Sequence, residues 1–285
     1  FEPLAVSEYI NETVADYKLK CHVFSTIGSH GSLTVEQALM NSCNPYMIHL
    51  ALEMGNSRFA YYQSLFGFGK ITGIDLPGET TGIVYGDRMT TIDAACNSFG
   101  QTINVNMMQM MAAYCSIING GMLYQPHIVK RIESANGEVV KEYKANLVRQ
   151  TITASTSKLL RRYLKNTVEE GTAKKAGVTG YSVAGKTGTA QKGDRKDNKW
   201  IISFIGHAPA ENPKFAIYVV IDEPYGTTGT SGSSADVLTL THNILEKLLP
   251  YMNVYKDASD EYEDTSSSPD ELTVDGIPAG TASSN

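Results

Sequence analysis

The stretch GYSVAGKTGTAQ at residues 180–191 admits two incompatible folds. From Gly180 to Thr187 it fits G-x-x-x-x-G-K-[ST], the loop that cradles phosphates in nucleotide-binding proteins. That reading requires a buried strand before the loop and a helix starting at Lys186-Thr187, because the helix N-terminus completes the anion site. The preceding TAKKAGVTG carries two lysines and two glycines and makes a poor buried strand. The following GTAQKGDRKDNK has two glycines and no apolar periodicity, so no helix begins there. YVVID at 218–222 looks like the strand-and-aspartate that accompanies such loops, yet any hydrophobic strand leaving at an acidic turn does so. The alternative is an extended strand.

On an exposed strand bordering a cleft, Lys186 and the hydroxyls of Thr187 and Thr189 can converge on a carboxylate. Gly188 then lets another backbone approach, as strand addition by an extended peptide requires, and Gly185 keeps that approach uncrowded. A second polar cluster, NSCNP at 41–45, puts Ser42 and Asn44 two residues apart in a turn. Ser42 can relay a proton and Asn44 can bind an amide. The simpler reading of the same residues is an Asn-Pro turn with a helix-capping serine.

The remaining pattern fixes the fold class. LTVEQALMNSCNPYMIHLALEM at 33–54 reads as two helices meeting around Ser42–Pro45. FGFGKITGIDLPGETTGIV at 66–84 reads as turns and loop. VNMMQMMAAYCSIINGG at 105–121 is a helix stopped by Gly120-Gly121, with a Met-rich face expected in the core. SKLLRRYLKNTVEEGTA at 157–173 is a second amphipathic helix. YSVAGKTGTAQ, KWIISFIGHAP and KFAIYVVIDEP follow as three β-rich runs with connections short enough for antiparallel neighbours. A terminal helix covers 233–252. This is an α/β (α+β) chain, an antiparallel sheet with helical cover.

Charge is unevenly placed. The net charge is −6, but residues 256–285 hold eight acidic residues and one lysine, which leaves residues 1–255 near +1. No basic field for nucleic acid exists, and the Ser-rich acidic tail is expected to be disordered. Cys21, Cys43, Cys96 and Cys115 form no C-x-x-C and are expected to be free, mostly buried thiols. The six histidines show no paired ligand spacing, so neither a metal nor a cofactor is expected.

With these motifs in order, the chain resembles the transpeptidase domain of class B penicillin-binding proteins, the division and sporulation type. The resemblance rests on GSHGSLTVEQALMNSCNPYM around S-x-N, FGFGKITGIDLPGETTG, SFGQTINVNMMQMMAAYCSIINGG and VEEGTAKKAGVTGYSVAGKTGTAQ around K-T-G. It spans roughly residues 20–250. It implies the penicillin-binding-protein and serine β-lactamase-like fold, with a mostly helical subdomain beside the sheet. It also implies acyl transfer on peptidoglycan stem peptides ending in D-Ala-D-Ala, with β-lactams as mimics. By this resemblance Ser42 assists proton transfer, Lys186 supplies positive charge and Asn44 holds the substrate amide. Thr187 and Thr189 bind the terminal carboxylate, and the Thr189 N–H forms half of the oxyanion hole. The further implication is an extracytoplasmic site on a membrane-anchored protein, partnered by a division or sporulation-septum glycosyltransferase.

One motif departs from the family. The nucleophile motif, S-x-x-K, follows a segment similar to Phe1-Glu2-Pro3, but here Leu4 comes next and resembles the start of the helix after that motif. The sole S-x-x-K, Ser155 to Lys158, lies after S-x-N and reads as the start of the 157–173 helix. The expectation is a transpeptidase domain over residues 1–255 that lacks its serine–lysine segment and cannot acylate. A β-lactamase or β-lactam sensor on the same fold, and a non-catalytic peptide-binding module, are the alternatives.

Overall fold

The computed structural model describes the backbone at residues 4–5, 13–14 and 17–18, together with residues 20–28, 30–193, 198–224 and 233–257. Strand β1 (Leu4–Ala5) pairs antiparallel with β4 (Ser32–Leu33), and β2 (Thr13–Val14) pairs with β3 (Tyr17–Lys18). The helix expected from Leu4 onward is therefore not there at its start: Leu4 and Ala5 are extended because β4 supplies their partners. Residues 258–285, nearly all of the expected tail, lie outside the described residues.

The helical part follows. Helix α1 (Val35–Met40) opens with a reciprocal capping box, Thr34 Oγ1 accepting from the Gln37 N–H while the Gln37 side chain accepts from the Thr34 N–H. Helices α2 (Asn44–Met54), α3 (Asn56–Leu65), α4 (Thr91–Ser98) and α5 (Met107–Ile118) complete it. Buried Gln63 on α3 donates to Asn97 on α4 at 2.9 Å, a polar tie across two helices that also meet through Ala60 and Ala94. On α5 the methionines do not form the core as expected. Met107 is 52% exposed and Met108, Met110 and Met111 are half-buried, whereas Gln109 is buried. Gln109 faces inward because its amide donates to the carbonyls of Lys70 and Thr81, at 2.6 and 3.0 Å, anchoring the Gly-rich loop. Glu79 organises that loop from within. Burial disfavours its charge, but donors from the Thr72 N–H and hydroxyl and the Gly73 N–H outweigh this and hold its pKa below the usual carboxylate value.

Four short strands separate α5 from the next helix: β5 (Met122–Gln125) pairs with β8 (Asn146–Gln150), and β6 (Arg131–Glu133) with β7 (Val139–Glu142). Asn136-Gly137 turns the inner pair, with Gly137 at φ 85°. An Asn-Gly turn between alternating apolar residues is a hairpin signal.

Helix α6 (Ala154–Glu169) is capped by Thr153, whose hydroxyl accepts from the Thr156 N–H. Ser155 therefore occupies the exposed first turn of α6, hydrogen-bonded to Thr153 at 2.9 Å. Beyond it β9 (Ala184–Lys192), β10 (Lys199–Ala208) and β11 (Phe215–Asp222) form an antiparallel sheet in the order β11-β10-β9. Helix α7 (Ala235–Tyr251) covers one face, burying Val237, Leu238, Leu245 and Leu249 against Ile202 and Phe204. The other face receives Tyr114 of α5 and Leu164 of α6 against Ala184.

Tyr114 also makes the polar contact that pins α5 to the sheet, its hydroxyl lying 2.8 Å from Nδ1 of buried His207. His207 Nε2 lies 3.1 Å from the Ala210 carbonyl, which can only accept. The proton therefore sits on Nε2, and Nδ1 accepts from Tyr114. Burial lowers the His207 pKa to about 4 from an ordinary 6.5. Below pH 6.5 the unfolded chain takes up this proton and the folded chain does not, so stability falls as pH drops from 6.5 to about 4 and is then flat in this group. The loss is on the order of 3 kcal/mol. Denaturant unfolding across that window is expected to show it, and His207→Gln to flatten the slope.

Candidate active site

The candidate residues come from two elements far apart in sequence, and α6 brings them together. On one side α6 packs on β9, where the Thr167 hydroxyl donates to the Gly185 carbonyl. On the other it holds α1: Asn166 donates to Glu36, Arg162 lies 3.6 Å from the same carboxylate, and the Thr172 N–H donates to the Met40 carbonyl at 3.1 Å. The turn after α1 is thus fixed opposite the middle of β9.

That turn closes α1 in a left-handed cap. The Ser42 N–H donates to the Leu39 carbonyl at 3.2 Å and the Cys43 N–H to the Ala38 carbonyl at 2.9 Å, with Ser42 at φ 50°. This is a Schellman arrangement, and its left-handed position is ordinarily glycine. A serine there is backbone strain, of the kind that persists where surrounding contacts hold it. The expected capping role is absent: Cys43 is the N-cap of α2, with no side-chain cap bond, and the Ser42 hydroxyl instead receives the Lys186 ammonium. Asn44 is the first residue of α2, half-buried, with Pro45 behind it.

Lys186 Nζ donates to Ser42 Oγ, to the Thr187 carbonyl at 3.0 Å and to the Thr187 hydroxyl at 3.3 Å. Thr187 Oγ1 lies 3.4 Å from Thr172 Oγ1. Thr189 is exposed two residues further along the strand. Ser42, Lys186 and Thr187 are therefore in direct contact, and Asn44 and Thr189 flank them. No helix starts at Lys186, so the phosphate-loop fold is excluded.

The two glycines differ in what surrounds them. A Cβ at Gly188 would lie 2.6 Å from Ser203 Oγ on the neighbouring strand, and one at Gly185 would strike the Phe204 ring and the Ile205 carbonyl. Gly185 is buried inside the fold and does not border the cleft.

A feature invisible in the spacing of the cysteines also stands here. Cys21 and Cys43 are buried side by side, with His30 beside them. The pattern Cys21-His22, His30, Cys43 matches no short motif, and only the tertiary contact between residues 21–30 and the head of α2 reveals it.

Burial lowers the Lys186 pKa from an ordinary 10.5 to about 8. The sign of the linkage follows. Between pH 8 and 10.5 the unfolded chain still holds this proton and the folded chain has released it, so stability rises with pH there, by on the order of 3 kcal/mol. Lys186→Met is expected to lack this rise, as read from unfolding midpoints at pH 7 and pH 10. The Ser42 turn gives a separate test. Ser42→Ala and Ser42→Gly both remove the hydroxyl, but only glycine relaxes at positive φ, so the glycine variant is expected to be more stable by about 1 kcal/mol.

The geometry agrees with comparisons to known proteins. A family model described as the penicillin binding protein transpeptidase domain matches residues 10–246. Stage V sporulation protein D of Bacillus subtilis is 40% identical over 232 residues, covering 80% of this chain and 36% of that protein. Peptidoglycan D,D-transpeptidase FtsI of Escherichia coli is 32% identical over 248 residues, covering 85% of this chain and 40% of that protein. The chain thus spans well under half the length of these relatives. Among solved structures, penicillin binding protein 3 from Mycobacterium tuberculosis superposes with a TM-score of 0.78 at 27% identity, covering 90% of this chain and 58% of that one. Its ampicillin complex gives 0.77 at 26% identity, covering 92% and 64%. With the S-x-N turn and the K-T-G strand in contact, this chain belongs to the penicillin-binding protein transpeptidase domain family.

Proposed function

We propose that the cleft between the Ser42–Asn44 turn and the edge of β9 grips the carboxylate end of peptidoglycan stem peptides ending in D-Ala-D-Ala, and that β-lactams occupy the same place. In this reading residues 1–255 form the transpeptidase domain and residues 256–285 an acidic tail. The observation that supports it most is the Lys186 to Ser42 hydrogen bond, which joins the two motif residues across 144 positions of sequence. Lys186 is the positive charge, held half-deprotonated near pH 8 by burial. A substrate carboxylate beside it favours the charged form and raises that pKa. Thr187 and Thr189 supply hydroxyl donors, Asn44 receives the substrate amide, and the Thr189 N–H contributes to the oxyanion hole. A peptide adding along the free edge of β9 gains main-chain hydrogen bonds.

The reaction for which such a cleft is suited is D,D-transpeptidation. A serine attacks the penultimate carbonyl, D-alanine leaves, and an amine from a second stem peptide resolves the acyl-enzyme. The serine–lysine pair that begins this reaction has no match upstream of Ser42, and Ser155 and Lys158 are exposed in the first turns of α6. We therefore read this chain, as written, as a binding-competent but non-acylating form of the domain. That absence also favours the second reading, a peptide-binding module. Peptidoglycan places any such activity outside the cytoplasmic membrane. Among the described residues no helix is long and apolar enough to cross a membrane.

Incubation with a fluorescent penicillin followed by intact-mass measurement is expected to give no covalent adduct. A D-Ala-D-Ala peptide is expected to bind reversibly in calorimetry, with proton uptake near pH 8 that Lys186→Met abolishes. A covalent β-lactam adduct refutes the non-acylating reading, and absence of peptide binding refutes the cleft assignment.

A further inference from the structure

Cys21 is the N-cap of a short 3-10 turn (His22–Ser25), His30 follows on the next bend, and Cys43 is the N-cap of α2. One ligand atom from each of Cys21, His30 and Cys43 lies within 4.8 Å of the other two. The two thiols are 4% and 0% exposed, while His30 is half-buried and His22 exposed. Cys21 Sγ is 3.7 Å from His30 Nδ1 and 3.5 Å from His22 Nδ1, and the two imidazole rings stand 5.6 Å apart. Tetrahedral zinc, with Zn–S near 2.3 Å and Zn–N near 2.0–2.1 Å, sets sulfur-to-nitrogen distances of about 3.6 Å between its ligands. The 3.7 Å between Cys21 Sγ and His30 Nδ1 lies close to that value. Backbone N–H groups of Val23 and Asn44 are directed at the Cys21 sulfur, the outer support that a ligating thiolate takes.

We propose that Cys21, Cys43 and His30 bind a single zinc-class divalent ion that braces the Ser42–Asn44 turn, with the fourth position left to solvent. Two thiolates neutralise the dication, and the sulfur and imidazole set favours a borderline-soft metal over magnesium or calcium. Cys43 is the middle residue of the turn, so the ion ties Ser42 and Asn44 to the 21–30 segment. It thereby holds Ser42 in its left-handed conformation opposite Lys186. The position of the Ser42 hydroxyl then depends on a metal that touches neither the hydroxyl nor any ligand of the cleft.

The whole purified chain is expected to carry about one zinc by mass-spectrometric metal analysis, and to lose stability on chelation. Cys43→Ser and His30→Ala are each expected to lose the metal. Cobalt titration of the unaltered chain needs no variant, and is expected to give a thiolate-to-cobalt charge-transfer band with the intense d–d absorption of a tetrahedral site. Three outcomes overturn the proposal: a Cys21–Cys43 disulfide in a non-reducing peptide map, metal-free protein with both thiols titratable and no cobalt spectrum, or zinc retained undiminished when both cysteines are replaced by serine.

Discussion

The contact between Lys186 and Ser42 depends on a lysine being held in a place that disfavours its charge. Nothing local to either residue brings this about. Lys186 lies on a strand whose position is set by β10 on one side and by α6 across its face, and Ser42 sits in a turn fixed by α1. Both supports meet in α6, through Thr167 to the strand and through Asn166 and Arg162 to Glu36. Helix α6 is thus the reference element of the site, although it contributes none of the candidate ligand-binding side chains. Displacing it by an ångström would separate a hydrogen-bonded pair and leave a buried ammonium without its hydroxyl.

Two energetic costs are concentrated at this junction. One is the left-handed backbone at Ser42, and the other is the partial desolvation of Lys186. Each is unfavourable in isolation, and each orients a polar group towards the cleft. Folded proteins tolerate such costs where packing elsewhere is secure, and here the α7 face of the sheet supplies that packing with Ile202, Phe204, Val237, Leu245 and Leu249. The proposed zinc ion adds restraint on the opposite flank of the turn.

Much of this was legible in the sequence because it depended on period. The three strands, their antiparallel order, α5, α6 and α7 followed from runs of apolar residues whose spacing matched one element type. The pairing of Ser42 with Lys186 followed from family motifs, since spacing alone left Ser42 as a helix cap. What escaped had weaker local signals. Helix α3 has little apolar periodicity and is held on α4 by the buried Gln63–Asn97 bond beside the small Ala60–Ala94 contact. The burial of Gln109 in place of the neighbouring methionines reflects two loop carbonyls that only the fold brings near. Leu4 and Ala5 are extended because a distant segment pairs with them. The Asn136-Gly137 hairpin had a readable turn, but its exposed strands lack the clean alternation of a half-buried sheet. Gly185 was assigned to ligand approach, whereas the Phe204 ring and the Ile205 carbonyl on the next strand already require it.

Strand β9 ends the three-stranded sheet, and among the described residues no strand pairs with its outer side. Its first two residues, Ala184 and Gly185, are covered by α6, but the backbone from Lys186 to Lys192 is open to any extended chain, including another copy of the same protein. Lys186 and Lys192 place a charge at each end of that rim. The exposure that admits a peptide is thus also a hazard of self-association, and the lysine that defines the cleft helps to keep the edge selective.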